Sequence, residues 1–173
     1  MKSMDLGAFQ TRVLPLKNKL LRFSLRLLED RVEAEDNVQE VLIKIWDIRE
    51  KVDHVQNLEA WCMRVTRNMA LDRIRSRQRK SAGPIEEGML VTTNLPSPQE
   101  TAELRESMTR VAQCIAALPE KQRQIIHLRD VEGYSYQEIC DILELDMNQV
   151  KVNLFRARNA VREKLAKINA YGL

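Results

Sequence analysis

Apolar residues recur along this chain at three- and four-residue intervals with polar residues between them, the mark of amphipathic helices. The cleanest series is Val38, Val41, Leu42, Ile45, Ile48 and Val52. Glu35, Asp36 and Glu40 fall early in that helix, where carboxylates favour the positive end of the helix dipole. A second series, Leu58, Trp61, Cys62, Val65, Met69 and Ile74, predicts a helix from about Asn57 to Gln78. Asn57 suits the N-cap, because its side-chain oxygen can accept from the open amides of the first turn. Ahead of both, residues 9–28 predict one helix, or a pair interrupted near Pro15.

Helix breakers then concentrate: Gly83, Pro84, Gly88, Pro96 and Pro98 lie among Ser and Thr residues. Helical patterning resumes beyond them. The expectation is an all-α protein of two small domains, residues 1–80 and 101–173, joined by a flexible tether over residues 81–100. In the second domain one helix is predicted from about Glu100 to Ala117. Pro119 suits the first turn of the next helix, about Glu120 to Val131, which Gly133 breaks. Ser135 is placed to cap a short helix ending near Leu143, with Glu138 at the capping-box spacing. Asp146 caps a last helix from Met147 to about Lys167. Three short helices with tight breaks, the last rich in Arg and Lys, are what a helix-turn-helix unit needs to seat one helix in a DNA major groove.

Composition narrows this less than the pattern does. The 173 residues are 44% hydrophobic and 31% charged, with five Gly and five Pro, as an all-helical protein with a packed core requires. A formal charge of +3 is too small to diagnose a nucleic-acid partner, so its distribution matters more. Residues 1–80 hold 17 Lys/Arg against 12 Asp/Glu, and most of that excess lies in one run. Cys62, Cys114 and Cys140 show no metal-ligand spacing and read as reduced, packed thiols; no metal and no cofactor is expected. No apolar run approaches the roughly 18 residues of a membrane span. Lys17, Lys19 and Arg22 interrupt the apolar stretches that a signal peptide would need, so a soluble cytoplasmic protein is expected.

Four strings together resemble the extracytoplasmic-function group of bacterial sigma-70 factors: AEDNVQEVLIKIW (34–46), NLEAWCMRVTRNMALDRIRSR (57–77), LPEKQRQIIHLRDVEGYSYQEICDIL (118–143) and VKVNLFRARNAVREKL (150–165). The resemblance implies a sigma region 2 bundle and a region 4 helix-turn-helix. It also implies an activity: binding core RNA polymerase, recognising the −35 and −10 promoter elements, and opening the duplex. An anti-sigma protein, often membrane-bound, is the implied inhibitor, with no membrane insertion of the chain itself.

The resemblance assigns Glu35, Asp36, Asn37, Gln39 and Glu40 to polymerase binding. The plainer alternative is an ordinary solvated helix start. Residues 51–56 and the next helix start match the part that takes up the −10 strand, where gripping extruded bases must offset the cost of unpairing and unstacking them. Asp53, His54, Gln56 and Asn57 offer polar groups to a base edge, with Asn68 added from the helix. Trp61 can stack on a base, though its place on the apolar stripe makes a core role the better reading. His54 has no partner at a spacing suited to catalysis or metal binding. Arg64, Arg67, Arg73, Arg75, Arg77, Arg79 and Lys80 form a basic surface for phosphates, with Asp72 more a brace than a contact.

In the last helix, Asn148, Gln149, Lys151, Val152 and Asn153 occupy the N-terminal turns that enter the groove first. Asn and Gln can read adenine, while Lys suits guanine or phosphate. Val150 and Leu154 face the core. Arg156 and Arg158, with Arg129 or Tyr136, are expected to hold phosphates. Four positions depart from the family pattern. Val152 and Asn153 replace the more frequent Ser and Arg, which leaves the −35 sequence open. Glu144 stands in the inter-helix turn where Gly is common, and Glu33 stands where an N-cap such as Asp is usual.

Two promoter elements about two helical turns apart require a reach on the order of 70 Å. Some twenty tether residues extend to roughly 66–72 Å, and the domains add more. Its carboxylates, Glu86, Glu87 and Glu100, suit a positively charged polymerase channel. Two other readings remain: a stand-alone helix-turn-helix regulator, and a DNA-processing enzyme such as a recombinase. No Ser, Tyr or Asp cluster stands out for the second, so no catalytic residue is expected.

Overall fold

The computed structural model describes residues 4–81 and 101–171. The tether expected over 81–100 lies outside the described residues except for Ser81. The helices are α1 (Leu6–Arg12), α2 (Lys17–Leu28), α3 (Arg31–Asp47), α4 (Arg49–Val52), α5 (Leu58–Lys80), α6 (Ala102–Ala116), α7 (Glu120–Ile126), α8 (Tyr136–Leu143) and α9 (Met147–Tyr171). A 3-10 turn, Leu14–Leu16, carries Pro15 between α1 and α2, so the interrupted pair is the form adopted. Two compact units result. The first holds α1–α5; the second holds α6, α7, the start of α8, and α9.

In the first unit α2, α3 and α5 pack pairwise around one core. Leu20, Phe23, Leu27 and Leu28 of α2 meet Ala34, Val38, Val41 and Ile45 of α3, all spaced to share one helix face. Each of the three helices also buries one polar residue. Asn37 donates through Nδ2 to Ser24 Oγ (3.0 Å) and to the Thr66 carbonyl (3.3 Å), while Thr66 Oγ1 donates to the Cys62 carbonyl (2.8 Å). All three are fully buried. Hydrogen bonds are directional where apolar contacts are not, so this node holds the three helices in one register.

The core face of α5 differs from the expected stripe. Ala60, Cys62, Met63, Thr66 and Ala70 are buried. Leu58, Trp61, Val65, Met69 and Ile74 are half-buried. The buried face is turned from the expected one by about one residue, or about 100° of helix. Small side chains explain the choice: Ala60, Thr66 and Ala70 let α5 come close to α2 and α3, which large side chains would prevent. Trp61 is therefore not a core residue.

Local signals set the helix ends. Asn57 Oδ1 accepts from the Ala60 amide (2.9 Å). Asp30, not Glu33, caps α3, by accepting from the Glu33 amide (2.9 Å). Glu33 sits inside the first turn, so its departure from the family pattern costs no cap. In the second unit α9 packs on α6 and α7. Ser135 and Glu138 bond each other's amides at 3.1 and 2.8 Å, completing the expected capping box. Asp146 and Gln149 form a second one at the start of α9 (2.8 and 3.2 Å). The helix expected to run to Val131 ends instead as a π-helical turn, His127–Val131, with Glu132 N bonded to the His127 carbonyl (3.0 Å). Gly133 follows at φ 80°, and Glu144 takes φ 56°, both in the left-handed region.

Candidate nucleic-acid interface

Exposure along α3 divides the residues expected to bind polymerase. Glu35, Asp36, Gln39 and Glu40 are exposed, whereas Asn37 is the buried polar node and has no surface to offer a partner. Its place follows from helical spacing, since Asn37 lies three residues from Ala34 and four from Val41, on the core face. Two residues that the pattern reading passed over join the exposed face. Val32 is 68% exposed and Ile43 60%. Eleven residues apart, they return to the same side of α3 as Asp36 and Gln39. An apolar side chain off the core period was the available signal.

The loop between α4 and α5 is held at both ends by ion pairs from the first helices. Arg12 meets Asp53 at 2.9 Å and Lys19 meets Glu59 at 2.7 Å. Asp53 is thereby engaged by Arg12, and Asn57 Oδ1 accepts from the Ala60 amide at the α5 cap. His54 and Gln56 are exposed. Trp46 is flanked by Phe9, edge-on at 5.3 Å, and by Arg49 over its ring at 4.3 Å.

The basic run of α5 separates into two sets. Trp61, Arg64, Asn68 and Arg75 fall on one face at spacings of three, four and seven residues. Arg67 bonds to Asn68 Oδ1 (3.3 Å), and Asp72 braces Arg75 (3.2 Å). Arg73 and Arg77, four apart, point instead toward α3. Arg73 pairs with Glu40 at 2.7 Å and Arg77 with Glu33. One expected phosphate contact is thus joined to one expected polymerase contact.

On α9, Val150, Leu154 and Ala157 are buried. The opposite face carries Asn148, Lys151, Val152 and Phe155, all exposed, Phe155 to 68%. Phe155 stands i+7 from Asn148 and i+3 from Val152, off the core face, and the pattern reading passed over it; its place off the core period was the available signal. Gln149 and Asn153 do not reach that face. Gln149 Oε1 serves the Asp146 cap, and Asn153, half-buried, donates to the Gln149 carbonyl (2.7 Å). Arg156 is exposed beside the face. Arg129, Tyr136 and Arg158 are bound to other parts of the second unit: Arg129 donates to the Tyr134 carbonyl (2.8 Å) and lies over the Tyr136 ring (4.7 Å), while Arg158 makes a two-pronged pair with Asp130 (2.6 and 3.0 Å). Among the described residues no helix is long and apolar enough to cross a membrane.

This geometry, a three-helix unit with an arginine-bearing helix and a second unit with a capped, exposed reading helix, matches known proteins closely. A sequence model of sigma-70 region 2 matches residues 13–80, and one of sigma-70 region 4 matches residues 108–161. The RNA polymerase sigma-H factor of Pseudomonas aeruginosa is 30% identical over 93% of this chain and 88% of its own length. The ECF RNA polymerase sigma factor SigW of Bacillus subtilis is 29% identical over 95% and 92%. The solved sigma factor RpoE of Bartonella quintana, in complex with the anti-sigma factor NepR, superposes with a TM-score of 0.78 at 26% identity, covering 93% of this chain and 98% of that one. The region 2 match leaves the stand-alone regulator without support. The chain belongs to the sigma-70 family of RNA polymerase sigma factors, in the extracytoplasmic-function group.

Proposed function

We propose that this promoter-recognising sigma factor divides its work among three exposed faces. The α3 face of Glu35, Asp36, Gln39 and Glu40 binds core polymerase, with Val32 and Ile43 as apolar contacts at its two ends. The loop residues His54 and Gln56, with Trp61, Arg64, Asn68 and Arg75 along α5, take up the −10 strand. Trp61, half-exposed at the head of that row, is suited to stack on an extruded base. The α9 face reads the −35 element: Asn148 and Lys151 through hydrogen bonds, Val152 and Phe155 through contact with thymine methyl groups, and Arg156 on phosphate.

The observation that supports this best is the α9 face itself. Its buried and exposed sides are cleanly separated, and polar reading groups alternate there with exposed apolar ones. At 68% Phe155 is, with Val32, the most exposed large apolar side chain among the described residues. The protein acts in the cytoplasm as an initiation factor and performs no catalysis of its own. An anti-sigma protein inhibits it by covering these faces, as suggested by the Bartonella relative captured with one.

Run-off transcription with purified core polymerase tests the reading, using promoter fragments with both elements intact or with either one replaced. Transcription should depend on the protein and on both elements. Failure to form a holoenzyme overturns it.

A further inference from the structure

Three of the cations and rings expected to touch DNA phosphates, Arg129, Tyr136 and Arg158, lie instead in one connected network. Its hub is the π-helical turn between α7 and α8. Arg129 and Asp130 are neighbours there, and their side chains leave in different directions. Arg129 holds the turn that starts α8, through the Tyr134 carbonyl (2.8 Å) and the Tyr136 ring (4.7 Å). Asp130 holds α9, accepting from Arg158 Nε at 3.0 Å and from Nη2 at 2.6 Å. Asp130's hydrogen bond, with smaller support from Tyr136, pushes the Arg158 pKa up.

We propose that Asp130 is a positioning residue for −35 recognition, which through Arg158 sets the roll of the reading helix against the start of α8. The inference rests on the sigma reading and on α9 as the reading helix. Its physical basis is direction. Val150, Leu154 and Ala157 hold α9 by apolar burial, which resists separation but only weakly resists rotation or sliding. Base-reading side chains must be held within about 0.5 Å and 10–20° of their productive geometry. A two-pronged guanidinium–carboxylate pair supplies that constraint, because both prongs bond only in one orientation. Arg158 continues the Lys151 edge of the reading face, seven residues and about 10 Å further along α9, so it can fix the helix beyond the N-terminal turns that enter the groove first. A π turn contributes in its own way: its extra residue per turn re-aims the side chains, which sends Arg129 toward α8 and Asp130 toward α9. The pair is partly exposed (44% and 38% at the side chains) and adds little to stability, which leaves orientation as its main effect.

A phosphate-contact role for Arg158 predicts the opposite sign at Asp130. If Arg158 bound phosphate, Asp130→Asn would release it and strengthen promoter binding, and Arg158→Lys would behave almost as the parent protein. As a brace, both substitutions harm recognition, since Asn lacks the charge and Lys lacks the fork. The experiment uses the full chain with core polymerase on promoters with intact or scrambled −35 elements. The expected result for Asp130→Asn and Arg158→Lys is a fall of at least about fivefold in the intact-to-scrambled transcription ratio, the scale of one lost base contact. Core-polymerase affinity, helical content and the salt dependence of duplex binding should stay as in the parent. Higher −35 affinity for Asp130→Asn with a steeper salt slope, or a parent-like Arg158→Lys, overturns the proposal. If the parent protein drives no promoter-dependent transcription, the sigma reading fails instead, and the two failures are thereby distinguished.

Discussion

Glu144 adopts φ 56°, the conformation the chain needs to turn from α8 into α9, and an L-residue with a Cβ is strained there. Glycine removes that strain but loses more freedom on folding, so the gain is partial. Glu144→Gly should raise the unfolding free energy by up to about 1 kcal/mol in denaturant titration. No gain, or a loss, would mean the turn is held by contacts of the Glu side chain. Cys62 presents a different case. Burial, with a smaller contribution from Glu59, pushes its thiol from 9.0 up to about 12. The folded chain therefore keeps Cys62 protonated where an unfolded chain ionises it. Stability from this group is complete below about pH 9 and declines as pH rises toward 12. Alkylation of Cys62 in the native protein at pH 8 should be far slower than in denaturant, when followed by mass spectrometry. Equal rates would show that the site opens freely.

Between helices, the clearest link is the pairing of α3 with α5. Glu40, on the face proposed to bind polymerase, holds Arg73 at 2.7 Å, and Glu33 holds Arg77. Surface pairs of this kind are weak and exchange readily. A partner that takes Glu40 thus leaves Arg73 open to phosphate. Glu40→Gln should tighten binding of the free protein to duplex DNA and steepen its salt dependence by about one phosphate contact. The gain should vanish in an Arg73→Gln background, as anisotropy titrations over a range of salt would show. A gain that survives loss of Arg73 would reduce the effect to overall charge. The same two helices explain why Asn37 was misread. Glu35, Asp36, Asn37, Gln39 and Glu40 form a polar string broken only by Val38, and only the helical period separates the one polar member that turns inward.

On the proposed reading two DNA-reading units lie either side of residues 81–100, and the contour length of that segment would limit where both can bind at once. Removing ten of those residues shortens the reach by about 33–36 Å. Transcription from a promoter that needs both elements should then fall sharply, while core polymerase binding is unchanged in pull-down or anisotropy measurements. Undiminished transcription would mean that the tether carries slack the promoter does not use.

All-α character, the two-unit order, the helix caps at Asn57, Ser135 and Asp146, and the family itself were legible in the amino-acid string. Those features depend on neighbours within a few residues, or on motifs spanning one helix. The positive φ at Glu144 was likewise visible as a departure from glycine. What required the folded chain was the choice among helix faces and among partners. The core side of α5 was decided by small residues that allow close approach of α2 and α3, which outweighed the larger apolar stripe. Partners distant in sequence decided the roles of charged residues: Arg12 for Asp53, Glu40 for Arg73, Asp130 for Arg158. A cation reads the same in sequence whether it awaits a phosphate or already holds a carboxylate. Only packing brings the two within bonding distance.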